Sequence, residues 1–175
     1  RTLLGHFRHE SGHYYWDRLV LGASRVDAFR ALFGDERQDY SEALERHYAQ
    51  PESADWHANF VSAYASSHPW EDWAETWAHY LHMIDLLETA AAYDSSLALP
   101  GAPAAERVRV VSPFSDPAPS FDTMVQQWSP LTLLLNSLNR SLGQEDAYPF
   151  ALSTGALRKL QCVHELVRSR ALVPS

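Results

Sequence analysis

The stretch "SSHPWEDWAETWAHYLHMIDLLETAAAY", Ser66 to Tyr93, decides how the chain folds. Ser66 or Ser67 can cap a helix, and Pro69 suits a first turn. From Pro69 no further proline or glycine interrupts the run, so the spacing predicts one long helix over 69–93. At about 100° per residue, Trp73, Trp77, Leu81 and Ile84 fall on one arc, between about 200° and 280°. That arc can face a core, with Trp73 and Trp77 as anchors. Glu71, Glu75, His79 and His82 fall between about 0° and 80°. This second arc holds groups that bind metal or move protons, and no Lys or Arg occurs from 69 to 93. A solvated helix face commonly mixes both charge signs, whereas an acidic and histidine stripe without cations suits a bound cation.

The rest of the chain reads mainly as helix. Residues 2–20 form one, with Gly12 leaving room for close packing. Ser24 and Asp27 resemble a capping box for a helix that stops near Gly34. Residues 41–49 and 53–65 are expected as short helices, the first stopped before Pro51. The Pro/Ala-rich segment 98–120 reads as a loop with a short strand at Val108–Val111. Residues 120–142 are helical, bent or split at Pro130, with "LTLLLNSL" (131–138) expected as a central packing element. Ser153 or Thr154 starts a last helix to about Arg170. The expected fold is therefore mainly α, with little or no sheet, as a single domain over 1–175.

Composition narrows the function. Of 175 residues, 46% are hydrophobic and 21% charged, enough to bury a core. Lys plus Arg number 14 against 22 Asp plus Glu, a net charge of −8. This argues against nucleic-acid or anionic-membrane partners, which need a basic face. One cysteine, Cys162, excludes an internal disulfide and a cysteine-rich zinc module. Cys162 reads as a small buried residue. The apolar run 131–135 is too short to span a bilayer. A cytoplasmic location is the default expectation; oligomeric state is not readable.

A second stretch, "HFRHESGHYYW" (His6 to Trp16), carries H-E-x-x-H at His9–His13. On a helix, residues i and i+4 differ by about 40°, so both imidazoles can hold one ion. Glu10 lies about 100° from His9, placed to act on water rather than to ligate. A Lewis acid that lowers the pKa of water, beside a carboxylate that takes the proton, is the requirement of hydrolytic zinc chemistry. The motif alone fits equally well a helix with two surface or core-edge histidines. A catalytic zinc also needs a third protein ligand. Both Glu71 and Glu75 could serve, and the helical wheel does not choose between them.

The paired strings "HESGH" and "EDWAE" resemble the gluzincin pattern, H-E-x-x-H followed by E-x-x-[AS]-[DE] on a later helix. The longer strings "GHFRHESGHYYWDRLV", "SAYASSHPWEDWAETWAHYLHMID" and "LTLLLNSLNRSLGQEDAYPFALS" resemble a bacterial family of zinc-binding metallo-peptidases, over nearly the whole chain. The resemblance implies a single Zn2+ ion held by His9, His13 and Glu71, with Glu10 as general base. It implies that Glu75 accepts the other N–H of a ligand histidine. Members commonly carry an N-terminal zinc ribbon, which one cysteine cannot build, and an upstream part of the protein is expected outside this chain. The implied substrate is a peptide or protein. An alternative is a zinc-binding interaction or regulatory module without peptidase activity.

The donor for the developing oxyanion is less defined. His79 is a candidate, Tyr148 and Arg140, in strings that match the family, are further candidates, and His82 is read as supporting the site. Asn136 and Asn139 are expected as buried hydrogen-bond partners. His6, His57, His68 and His164 are read as structural, capping or surface residues.

Overall fold

The structure is a computed structural model, described here for residues 2–49, 54–103, 106–148 and 152–171. Among these residues there are six α-helices: α1 (Leu3–Trp16), α2 (Val26–Phe33), α3 (Tyr40–Ala49), α4 (Pro69–Ala92), α5 (Phe121–Ser141) and α6 (Thr154–Ala171). A two-residue antiparallel pairing of β1 (Ser96–Leu97) with β2 (Val108–Arg109) is their only sheet. The mainly α expectation therefore holds. No helix among the described residues is long and apolar enough to cross a membrane.

The chain divides into two compact units, residues 1–81 with 150–175, and residues 82–149. In the first unit, the opening part of α4 is buried on every side from Glu71 to Tyr80. The two-faced helix expected from the wheel is thus replaced by a central one, whose carboxylates and imidazoles lie inside. Trp73 is its main anchor: fully buried, with the rings of Phe29 and Phe33 edge-on at 6.2 and 5.7 Å. Its indole N–H donates to the Gly12 carbonyl at 2.8 Å, tying α4 to α1. A Cβ on Gly12 would stand 3.0 Å from Ala74 Cα, so the absent side chain sets how closely these helices approach. Lys159 on α6, the chain's single lysine, ion-pairs with the fully buried Asp72 at 2.6 Å.

In the second unit, Met83, Leu87, Met124 and Trp128 are buried, and Gln127 Oε1 accepts from the Val111 N–H at 3.1 Å. Pro130 removes one bond from the α5 ladder without breaking the helix. The "LTLLLNSL" stretch is not a central packing element. Leu131 is buried, but Leu133, Leu134 and Leu138 are exposed. Consecutive apolar residues circle a helix at about 100° per step, so one face of such a run cannot take them all.

Several local expectations are corrected. The first helix gives way at Asp17 to a π-helical turn, Asp17–Leu21. Ser24 cannot cap α2, because it sits at φ 55 in the turn that closes this π segment, and Arg25 precedes the helix without a side-chain cap. Gly34 ends α2 at φ 103, a left-handed value that favours glycine. Residues 54–67 form two 3-10 turns, Ala54–Ala58 and Tyr64–Ser67, rather than a helix. Neither Ser66 nor Ser67 caps α4; His68 does, its Nδ1 accepting from the Trp70 N–H at 3.1 Å. Ser153 caps α6 by accepting from the Ala156 N–H. Cys162 is half-buried rather than buried, and burial pushes its thiol up. The stop before Pro51 lies outside the described residues.

Candidate metal centre

Three side chains of the first unit converge. His9 and His13 on α1 and Glu71 on α4 each bring a potential ligand atom to within 4.8 Å of the others. His9 Nε2 lies 3.0 Å from Glu71 Oε2, and His13 Nε2 lies 3.7 Å from Glu71 Oε1. Ligands of a tetrahedral zinc with bonds of about 2 Å lie about 3.3 Å apart, so the 3.0 Å between His9 Nε2 and Glu71 Oε2 is close to what the ion needs. Glu71 Oε2 is buried without a well-directed hydrogen bond. The positive charge it faces is the proton of His9, or a metal ion in that proton's place. Two imidazoles and a carboxylate are a donor set that suits zinc.

The next contacts fix these groups. Glu75, one turn after Glu71, accepts from His9 Nδ1 at 2.7 Å. Since a carboxylate only accepts, Nδ1 carries the proton and Nε2 faces Glu71. Ser62 donates its hydroxyl to the other Glu75 oxygen at 2.6 Å. Tyr40, the first residue of α3, donates to Glu71 Oε1 at 2.9 Å. The Trp70 ring lies 4.6 Å from that of His13 and the Tyr64 ring 6.1 Å from that of His9.

Protonation follows from these contacts. Burial opposes a charge on His9, but the carboxylates of Glu71 and Glu75 outweigh it and raise its pKa to about 9. Burial and the neighbouring His9 charge lower that of His13, against the pull of Glu71. Burial would raise Glu71, yet hydrogen bonds from His9 and Tyr40 hold it below the usual carboxylate range. Without metal, the cluster thus places a proton on His9 between two carboxylates.

Glu10 lies on α1 between the two histidines in sequence, half exposed, with His6 Nδ1 at 3.7 Å. His79 is buried on α4, one turn beyond Glu75, and His82, in the second unit, is half-buried. Neither belongs to the three-residue grouping. Tyr148 also belongs to the second unit, where it is buried against Trp128, ring centroids 4.9 Å apart. Its backbone is clasped by Asn136, whose amide donates to the Tyr148 carbonyl and accepts from its N–H. Asn139 donates to the Glu145 carbonyl on an exposed surface, and Arg140 pairs with Asp146 at 2.6 Å. His164, buried, meets the Tyr80 hydroxyl at 3.1 Å. Sequence reading missed Tyr40 and Ser62, which sit 31 and 13 positions before their partners. No periodic signal links such positions.

Two uncharacterized proteins of Mycobacterium tuberculosis strains and one of Mycobacterium bovis are each 47% identical to the chain over 171 residues. The match covers 95% of this chain and 47% of each relative, so the chain spans about half their length. No solved structure matches it significantly. The family whose description is "Putative zinc-binding metallo-peptidase" matches residues 1–166, and the chain belongs to that family.

Proposed function

We propose that the chain is the catalytic domain of a zinc-dependent peptidase of gluzincin type, holding one zinc ion between His9, His13 and Glu71. The observation that carries this reading is the convergence of those three side chains to within 4.8 Å, beside an exposed Glu10 on the same helix. Bound there, zinc supplies a Lewis acid that acidifies water and polarises a peptide carbonyl. Glu10 takes the proton of the attacking water and returns it to the leaving amine. Glu75 keeps His9 in the tautomer whose Nε2 is free to ligate. Peptides or proteins are the substrates.

Glu10→Gln tests the reading. The amide cannot take a proton, and Glu10 is outside the ligand set. The variant is expected to bind zinc as the parent does, by elemental analysis, and to lose cleavage of a peptide library by at least about 100-fold. Equal cleavage by variant and parent would refute the mechanism. Zinc binding by a parent that cleaves no member of the library would favour a non-catalytic zinc module.

A further inference from the structure

Glu71 has two oxygens in different surroundings. Oε1 accepts the Tyr40 hydroxyl at 2.9 Å, and Oε2 is buried, 3.0 Å from His9 Nε2, without a directed hydrogen bond. The last torsion of a glutamate is soft and does not by itself keep the two oxygens apart. A hydrogen bond to one oxygen supplies that distinction. Tyr40 is well placed to hold it, because its ring stands edge-on to His68 at 5.3 Å. His68 is itself fixed at both nitrogens: Nδ1 caps α4, and Nε2 donates to the Gln38 carbonyl at 3.2 Å. The residue that starts the glutamate helix therefore also seats the tyrosine that touches the glutamate.

We infer that Tyr40 is a positioning residue for Glu71, its hydroxyl holding Oε1 so that Oε2 is the oxygen presented to the metal. The inference rests on the zinc reading above and concerns how the ligand is aimed. The hydroxyl is the acting part and the ring is its support, so Tyr40→Phe separates the two. Phenylalanine keeps the edge-on contact with His68 and deletes the hydroxyl, and with it the hydrogen bonds to Glu71 and to Tyr64.

The experiment is a cobalt titration of the full chain, parent and Tyr40→Phe, followed in the visible spectrum. Competition with zinc against a chromophoric chelator and a thermal melt of the metal-free protein accompany it. The variant is expected to melt as the parent does, to bind both ions about 10–100-fold more weakly, and to show an altered cobalt spectrum. Unchanged affinity and spectrum would overturn the role of Tyr40 and leave the zinc reading standing. That role would equally fall if the variant melts lower yet its folded fraction binds metal as the parent does, for Tyr40 would then be merely structural. A parent that takes up neither ion would overturn the zinc reading, and the role of Tyr40 with it.

Discussion

His9 Nδ1 and Glu75 Oε1 lie 2.7 Å apart, both buried, and this bond decides which face of the imidazole remains for a metal. Removing the carboxylate in Glu75→Ala frees the ring to turn and leaves the Ser62 hydroxyl without its acceptor. The variant should bind zinc about 10–100-fold more weakly. The metal-free His9 pKa should drop from about 9, since one of the two carboxylates that raise it is gone. Imidazole nitrogen shifts by NMR report both; an unchanged Nδ1–H tautomer would contradict the assignment.

Metal uptake should be tied to pH through the same histidine. His9 must shed its proton to ligate, so zinc binding at pH 7 is expected to release close to one proton from it. Calorimetry in buffers of different ionisation enthalpy measures that number. Binding independent of buffer at pH 7 would exclude a protonated His9.

Metal-free stability should move the opposite way. The folded pKa of His9 is raised from 6.5 to about 9, so its contribution is fully present below about pH 6.5 and is lost as pH rises through 9. The full span is at most about 3–4 kcal/mol. Urea unfolding in chelator between pH 6 and 10 should show the decline, and Glu75→Ala should flatten it.

Gly12→Ala would ordinarily stabilise a helix by up to about 1 kcal/mol. Here the new methyl meets Ala74 Cα at 3.0 Å and the Trp77 side chain at 3.2 Å. Backbone cannot yield as a flexible side-chain end can, so a net loss of about 1–3 kcal/mol is expected. Because α1 and α4 supply the ligand set, zinc affinity should fall as well. Thermal melting with and without zinc reads both effects.

Lys159→Met should be the more costly change. It leaves the Asp72 carboxylate, fully buried beside Glu71, without its 2.6 Å partner. Breaking such a pair costs about 3–5 kcal/mol, whereas removing both charges, Asp72→Asn with Lys159→Met, should recover much of that loss. Denaturant unfolding of the two variants gives the comparison.

What the sequence determined by itself was local and periodic. The i,i+4 placement of His9 and His13, the spacing of Glu71 and Glu75 one turn apart, and the long α4 all follow from 3.6 residues per turn. Trp73 and Trp77 were legible as anchors for the same reason. Only the tertiary structure decided what no period encodes. It buried the Glu71–Tyr80 part of α4 on every side, left Leu133, Leu134 and Leu138 in solvent, and brought Tyr40 and Ser62 onto the two glutamates. These contacts span 13 and 31 residues of chain. Which oxygen meets which hydroxyl depends on how α1 and α4 close at Gly12 and Trp73 and on where α3 sets Tyr40, and that packing belongs to the whole unit rather than to any one segment.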